Sequence, residues 1–211
     1  MNVQLDTKIV KALEPYLLLN HPFYRRWEAG ALHRDELTGY AEQYRYFERM
    51  LPSFLEKLID QLPEGPIRDA VGANLTDEVS PPSHLELFER FARFYDAGEA
   101  EISPAMRRLV DAYSMILAKG PASSLAGLWA YESQGANIAD SKADGLVTHY
   151  GAHDDAVEFW SVHGSLEGDH ARWTRDALQA LHPDLGVAVD AVALIGSAWW
   201  SFLDEREALA A

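Results

Sequence analysis

Two histidines and a glutamate lie on a single stripe of the predicted helix that contains FWSVHGSLEGDHARW, residues 159–173. His163, Glu167 and His170 stand at positions i, i+4 and i+7, and at about 3.6 residues per turn these offsets share one helix face. Two imidazoles and a carboxylate on one stripe can bind a transition metal. On spacing alone, a helix whose polar side happens to hold two histidines is an equally good interpretation.

Three further candidate ligands lie on other predicted helices. Glu78 is near the end of a helix, where the macrodipole disfavours an acid and a nearby cation would stabilise it. His84 follows the break at residues 80–82 and falls in the first turn of the next helix. Glu132 is flanked by aromatic residues, which predicts that it points inward, where a carboxylate needs a cation or hydrogen bonds. The alternatives are a solvent-exposed Glu78 and His84, and a salt bridge between Glu132 and an arginine.

Taken together, the candidates are three carboxylates and three imidazoles, which is the ligand complement of a dinuclear non-haem iron site. Carboxylates can bridge two metal ions, and neutral histidines complete each coordination sphere without adding charge. We therefore predict two first-row transition-metal ions, either two irons or an iron–manganese pair, because ligand type alone does not discriminate between them. The predicted ligands are Glu78, His84, Glu132, His163, Glu167 and His170.

The elements that must position these ligands are helices. Proline and glycine divide the chain into long segments of helical periodicity, and no stretch alternates apolar and polar residues at period two. We expect an all-α fold, with one domain over residues 1–211 that forms a bundle of about seven to eight helices. The expected long helices cover about residues 6–20, with Asp6 as the cap, then 34–62, 67–79, 84 onwards, 103–119, 122–149, a segment ending near 181, and 185–209; a short helix covers 22–30.

Composition excludes several classes of function. The net charge of −15 over 211 residues argues against a nucleic-acid partner and against anionic membranes, because both need a basic surface. The chain has no cysteine, so disulfides, thiolate metal sites and a cysteine nucleophile are excluded. The N-terminus lacks a signal-peptide pattern and no apolar run approaches membrane-spanning length, so we expect a soluble cytoplasmic protein. Aromatic residues near the C-terminus indicate core packing or a homodimer contact.

The order of the candidate motifs resembles that of the haem-oxygenase-like dimetal oxidases, which share the TenA/PqqC-like helical fold. The motifs are HPFY, NLTDE, a following histidine, YESQ and H-x3-E-x2-H, and the resemblance spans about residues 20–204. Within that superfamily the sequence looks most like the self-sacrificing 4-aminobenzoate synthases. The resemblance implies a haem-oxygenase-like bundle, a dimetal centre at the six candidate ligands, and dioxygen and an external reductant as co-substrates.

The same resemblance assigns roles to two residues outside the metal set. Tyr24 in HPFY matches the tyrosine that the synthases consume as the source of the aromatic ring, and Lys142 matches the lysine implicated as amino donor. Helix geometry alone gives little support for Lys142, because ten residues beyond Glu132 is about 15 Å of rise and roughly 80° out of phase. Without the resemblance we would predict a surface lysine. Tyr131, next to Glu132, is a candidate electron relay or a packing residue.

The sequence departs from the synthase pattern at two points. Glu167 stands where the close relative has aspartate, and the loop between Glu78 and His84 is one residue shorter. Relatives that hydrolyse thiamin derivatives use a cysteine nucleophile, so that branch is excluded. Two alternatives stay open. One is a dimetal oxidase of an external amino acid or fatty acid, with Tyr24 lining its pocket; the other is a non-catalytic module that binds protein partners.

Overall fold

The computed structural model describes residues 3–209, except for the side chains of residues 165–169. This part of the chain forms nine α-helices, among them the short α2, and contains no β-strand, so the predicted all-α class is confirmed. The helices are α1 (Val3–Leu13), α2 (Pro22–Glu28), α3 (Arg34–Gln61), α4 (Pro66–Val79), α5 (His84–Phe94), α6 (Pro104–Ala118), α7 (Pro121–His149), α8 (Asp155–Ala180) and α9 (Leu185–Ala208).

Local sequence explains where the helices begin and end. Ser83 caps α5 through a capping box: its side chain accepts from the backbone N–H of Glu86, and the Glu86 carboxylate accepts from the backbone N–H of Ser83. The long first helix that we expected to begin after Asp6 is wrong, since Asp6 lies within the first turn of α1. That helix ends early, at Leu13, and two short 3-10 turns follow, because Pro15 has no backbone N–H with which to continue it.

The long helix α7 is enclosed by its neighbours. It packs against α8 and α9 and also contacts α2, α3 and α6. Small residues permit the close approach, since a Cβ on Gly127 would lie 2.3 Å from the Ile116 side chain of α6. As a result, buried residues occur around the whole circumference of α7, and they include Glu132 and Lys142. Beside it, α4, α5 and α8 pack against one another, and α3 covers α4 and α5.

The last helix, α9, carries an unexpected apolar stretch. By length and composition alone, Leu185–Ala208 is a candidate membrane span, so the expectation that no run approaches that length is wrong. The helix packs against α1, α6 and α7 and buries Ile195, Trp199 and Phe202 in the aromatic core. An apolar helix of this kind is also typical of the interior of a helical bundle.

Candidate metal centre

Three of the predicted ligands meet at one buried point. Glu78 comes from the last turn of α4, His84 from the first turn of α5 and His163 from α8, and one ligand atom of each lies within 4.8 Å of the others. Nδ1 of His84 is 2.9 Å from Oε2 of Glu78, and the rings of His84 and His163 have centroids 4.3 Å apart. We call these three residues the ligand trio; its side-chain types and spacing suit a first-row metal ion.

The junction between α4 and α5 brings the first two members of the trio together. α4 ends at Val79, the prolines at 81 and 82 prevent the helix from continuing, and Ser83 caps α5 so that His84 is its first residue. Glu78 and His84 therefore face each other across a helix junction. The shorter loop noted in the sequence does not separate this pair.

The polar atoms of the trio fit a metal ion better than they fit one another. Nδ1 of His84 is buried and makes no hydrogen bond to any described residue, although a Glu78 oxygen is adjacent. His163 donates from Nδ1 to the backbone carbonyl of Phe159 at 2.9 Å, so its lone pair is on Nε2. Burial, and next the neighbouring His84, hold the pKa of His163 well below its usual value. The neutral imidazole that this favours is the form that binds metals.

Glu132 points inward beside the trio, but among the described residues no arginine pairs with it. Its carboxylate accepts hydrogen bonds from Nδ2 of Asn74 at 2.6 Å and from the hydroxyl of Thr174. Burial raises the pKa of Glu132 to about 7, and the Thr174 hydrogen bond and the charge of His170 oppose that rise. The negative charge of Glu78 adds to it. Glu132 therefore lies within electrostatic range of both Glu78 and His170.

His170 is held by a carboxylate outside the predicted set. Its Nε2 lies 3.1 Å from Oδ2 of Asp77. A metal-binding histidine commonly donates its second N–H to a carboxylate, which fixes the ring and leaves the other nitrogen, here Nδ1, for the metal. Helix spacing could have indicated this partner, because Asn74, Asp77 and Glu78 share one face of α4 at i, i+3 and i+4. The side chain of Glu167, the sixth predicted ligand, lies outside the described residues.

A second buried cluster joins the two residues that the synthase resemblance selects outside the metal set. Lys142 is 1% exposed, and its Nζ donates to the hydroxyl of Tyr40 at 2.5 Å. The Tyr40 hydroxyl lies 3.0 Å from that of Tyr24, and Nζ of Lys142 is 4.7 Å from the centroid of the Tyr24 ring. We call these three residues the lysine–tyrosine cluster. The surface lysine that helix phase alone predicts is wrong, because Lys142 lies on the buried face of α7 with Ala139 and Leu146, whereas Asp140 and Asp144 are exposed.

The surroundings of this cluster favour uncharged groups. Burial lowers the pKa of Lys142 well below its usual value, and the charge of Glu48 on α3 opposes that fall. Burial also raises the pKa of Tyr24 above its usual value, against a hydrogen bond to Tyr40. The ring of Trp160 closes over the amine, with its centroid 4.0 Å from Nζ. An amine and a phenol therefore lie side by side in surroundings that favour their neutral forms.

A chain of tyrosines connects the metal ligands with the lysine–tyrosine cluster. Tyr131, adjacent to Glu132, hydrogen-bonds to the hydroxyl of Tyr44 and stacks on Trp199 with ring centroids 4.4 Å apart. Tyr44 in turn stacks on Tyr40, with centroids 5.4 Å apart. Tyr40 and Tyr44 of α3 are not among the predicted site residues, although their spacing of four residues indicates that they share a face. Tyr131 makes both a packing contact and the hydrogen bond that a relay needs.

An all-helical bundle with a buried carboxylate–histidine trio is the architecture of a helical metal-dependent redox enzyme. Residues 38–199 match the family described as iron-containing redox enzymes, and that span includes all six predicted ligands. The chain belongs to this family of iron-containing redox enzymes, which has the haem-oxygenase-like fold, and we therefore describe it as an oxidoreductase.

Two relatives named 4-aminobenzoate synthase are similar to the chain over most of its length. The chain is 34% identical over 207 residues to a 4-aminobenzoate synthase of Nitrosomonas europaea, which covers 89% of this chain and 84% of that protein. It is 28% identical over 184 residues to a 4-aminobenzoate synthase of Chlamydia pneumoniae, covering 81% of this chain and 80% of the relative.

The fold itself is similar to those of TenA-like proteins. A TenA homologue from Pseudomonas syringae pv. tomato superposes with a TM-score of 0.78 at 12% identity, covering 96% of this chain and 90% of that one. A CADD-like protein of unknown function from Nostoc punctiforme superposes with a TM-score of 0.77 at 14% identity, covering 97% of both chains. At these identities the likeness concerns the fold alone, and it confirms the predicted haem-oxygenase-like, TenA-like bundle.

Proposed function

We propose that this chain makes 4-aminobenzoate for folate synthesis in a dioxygen-dependent reaction that cleaves its own Tyr24 and takes nitrogen from Lys142. The relatives named 4-aminobenzoate synthase support the product. The observation that carries the self-sacrificing part is the lysine–tyrosine cluster, in which the buried amine lies 4.7 Å from the centroid of the Tyr24 ring and both residues bond to Tyr40. The cluster therefore brings a nitrogen donor into contact with an aromatic ring, and 4-aminobenzoate combines an amino group with such a ring.

The packing around this cluster favours an internal substrate over an external one. Tyr24, Tyr40 and Lys142 are each buried to 1% exposure or less, and their rings and stem fill the space between α2, α3 and α7. The cavity bounded by Asn74 and Thr174, the partners of Glu132, measures about 10 Å³, which holds no more than about one water molecule. Larger cavities of about 880 and 430 Å³, both lined by Trp129 and Ser133, include none of the three cluster residues in their lining.

The metal centre is the source of oxidising power in this proposal. Two first-row ions, with iron in at least one position, would supply one-electron oxidation of a phenol at the expense of dioxygen and an external reductant. The orphaned Nδ1 of His84 and the neutral imidazole of His163 support metal binding at the trio. The residues that would hold the pair are Glu78, His84, Glu132, His163, Glu167 and His170.

The protein's own side chains then prepare the two reacting groups. Tyr24 is held as a neutral phenol whose Oη proton can pass to Oη of Tyr40, 3.0 Å away. The electron would leave along the stacked and hydrogen-bonded rings of Tyr40, Tyr44 and Tyr131 towards the metal ligands. Forming 4-aminobenzoate from these groups requires that the Cα–Cβ bond of Tyr24 breaks and that dioxygen oxidises Cβ to the carboxylate. The nitrogen of Lys142, whose Nζ–Cε bond breaks, replaces the phenolic oxygen, which leaves as water. Because both residues are consumed, each chain turns over once at most.

Isotope labelling with mass analysis tests the proposal. The chain is prepared with ¹⁵N-labelled lysine side chains and ring-¹³C tyrosine, loaded anaerobically with Fe²⁺, and exposed to dioxygen with a reductant. We expect 4-aminobenzoate that carries both labels, at no more than one molecule per chain, and a mass loss that maps to the peptide containing Tyr24. Tyr24→Phe should give no product. Tyr46→Phe is the matched control, because the Tyr46 hydroxyl donates to the carbonyl of Ala100, outside the cluster.

The competing functions give different results in the same experiment. An unchanged protein mass, together with oxidation of an added amino acid or fatty acid, would identify an external-substrate oxidase. A chain that holds no iron after anaerobic loading would favour a non-catalytic interaction module. In cells, equal rescue of a 4-aminobenzoate auxotroph by the wild type and by Tyr24→Phe would refute the role of Tyr24.

A further inference from the structure

Glu48 is a buried carboxylate that lies outside every motif used so far. It sits on α3 and is 2% exposed. Its Oε2 atom is buried and makes no hydrogen bond to any described residue. A carboxylate that is buried with an unsatisfied oxygen is destabilising unless it is protonated or a cation compensates it. This position was hidden in the sequence because Glu48 falls within the otherwise apolar and aromatic stripe of α3.

Tyr44 and Glu48 lie on one face of α3, and Tyr44 packs towards the ligand trio. Glu48 is one helical turn beyond Tyr44. The ring of Tyr44 is 6.4 Å, between centroids, from that of Phe159. Phe159 in turn contacts two trio members, with centroids 4.1 Å from His163 and 6.4 Å from His84.

The charges around Glu48 also indicate a nearby cation. Burial, and next the negative charge of Glu78, raise the pKa of Glu48 well above its usual value. The only compensating charge among the described groups that act on it is that of Lys142, whose own pKa burial lowers. Two carboxylates that repel each other inside a protein, with only a largely neutral amine to balance them, form a site that lacks positive charge.

We propose that Glu48 supplies a fourth carboxylate to the metal centre, bound through Oε2 to a divalent first-row ion, Fe²⁺ or Mn²⁺. The inference rests on the proposed dimetal function and extends its ligand set by one residue. Four carboxylates balance two divalent ions, whereas the three of the motif pattern leave the reduced pair with a net charge of about +1. Lys142 can then stay neutral, as an amino donor requires, because it is not needed as the counter-charge of Glu48.

Metal binding by Glu48→Gln tests this ligand without any measurement of product. The amide keeps the size of the side chain and removes its charge. Glu56→Gln is the matched control, because Glu56 is an exposed glutamate on the same helix. Under anaerobic equilibrium dialysis with Fe²⁺, we expect wild type and Glu56→Gln to bind two ions. Glu48→Gln should bind at least one of them tenfold or more weakly, with an altered Mn²⁺ electron paramagnetic resonance signal after loading with Mn²⁺ alone.

Thermal unfolding shows whether Glu48→Gln merely impairs folding. Because burial and Glu78 disfavour a charged Glu48 in the metal-free protein, metal-free Glu48→Gln should melt at the same temperature as the wild type or higher. Its increase in melting temperature on adding Mn²⁺ should be smaller. A glutamate with a purely structural role would lower the melting temperature in both states, and that result overturns the inference.

Two further outcomes separate this inference from the proposed function. If the wild type binds no metal, the proposed function fails. If wild type and Glu48→Gln bind two ions equally well, only the role of Glu48 fails. The Lys142→Met background supplies the last test. A loss of affinity that disappears when Lys142 is absent would mean that Glu48 acts on the lysine, and it would overturn the ligand assignment.

Discussion

The ligand trio and the lysine–tyrosine cluster are both buried, yet their polar atoms are satisfied in opposite ways. In the trio, Nδ1 of His84 faces an oxygen of Glu78 at 2.9 Å without a hydrogen bond. In the cluster, Nζ of Lys142 and the hydroxyl of Tyr24 both bond to the hydroxyl of Tyr40, and aromatic rings exclude water. The trio therefore contains a buried polar atom without a hydrogen-bond partner among the described residues, whereas the amine and hydroxyls of the cluster are paired.

This difference indicates a division of labour within one interior. A site that binds an ion keeps lone pairs that have no hydrogen-bond partner. The folded chain tolerates the cost of these buried groups until the ion binds. A site whose reactants are already part of the chain has no reason to keep space open, and it can be packed like a core. Substitutions in the trio should therefore change metal affinity. Substitutions in the cluster should change stability and the amount of product.

Lys142→Met should have the largest effect. Product should be lost entirely, because the nitrogen donor is gone. Burial lowers the pKa of Lys142 in the folded protein, so below about pH 10.4 the unfolded chain binds more protons than the folded one. The stability of the wild type should therefore fall as pH drops from about 10 towards the folded-state pKa, by up to about 1.4 kcal/mol per pH unit. The methionine variant should lack that slope.

Urea unfolding of the metal-free proteins between about pH 6 and 10 measures the slope. Lys119→Met, at an exposed lysine, is the control and should run parallel to the wild type. If the curves of the wild type and Lys142→Met are parallel as well, Lys142 is charged in the folded protein and the neutral-amine argument is wrong.

The next largest effect should come from His84→Gln, which acts on the other region. We expect metal binding at the trio to be lost and product to fall by more than about 100-fold, since a ligand matters more than the partners behind it. The free energy of unfolding of the metal-free protein should change by less than about 1 kcal/mol, because Nδ1 has no hydrogen bond to lose. The exposed His153→Gln should leave metal binding intact. A large loss of metal-free stability in His84→Gln would mean that the histidine is a packing residue.

The two regions also differ in how far the sequence could predict them. The all-α class could be predicted from helical periodicity and from the prolines and glycines that separate the helices. The i, i+4 and i+7 spacing on α8 indicated its two histidines. The meeting of Glu78 with His84 followed from a helix end and a proline break. Such signals are local, because each depends on residues within one or two helical turns.

The lysine–tyrosine cluster could not be derived in the same way. Whether Lys142 is buried depends on how many helices surround α7, and that is a tertiary property that no local window contains. The spacing of four residues from Tyr44 places Glu48 on the buried face of α3, but the lack of a hydrogen-bond partner for its Oε2 among the described residues shows only in the structure. Asp77 could be predicted only in part. Its spacing places it beside Glu78, but its partner His170 is 93 residues away in the chain.

Asp77→Asn should have a moderate effect confined to the metal region. The asparagine keeps a hydrogen-bond acceptor for His170 but removes the charge that orients the ring, so we expect about 10- to 100-fold weaker binding of one metal ion. Binding at the trio should remain. Equilibrium dialysis with Fe²⁺ measures both ions, and Asp69→Asn, earlier on α4, is the matched control. Equal weakening of both ions would contradict the assignment of Asp77 to His170.

The smallest expected effect, from Tyr40→Phe, separates the two regions most directly. The substitution keeps the ring and its stacking but removes the hydroxyl that joins Lys142 to Tyr24. Two buried polar groups lose a partner, so the free energy of unfolding should fall by about 1–3 kcal/mol. Product should fall about tenfold, because the amine and the ring lose their common anchor. Binding of Fe²⁺ should match the wild type, since none of the metal ligands touches this hydroxyl in the proposed arrangement.

Urea unfolding, product analysis and dialysis give the three readouts, and Tyr46→Phe should leave product and metal binding unchanged. A fall in metal affinity alongside product would mean that the two regions are one site, and that the contrast between them does not describe how the protein works.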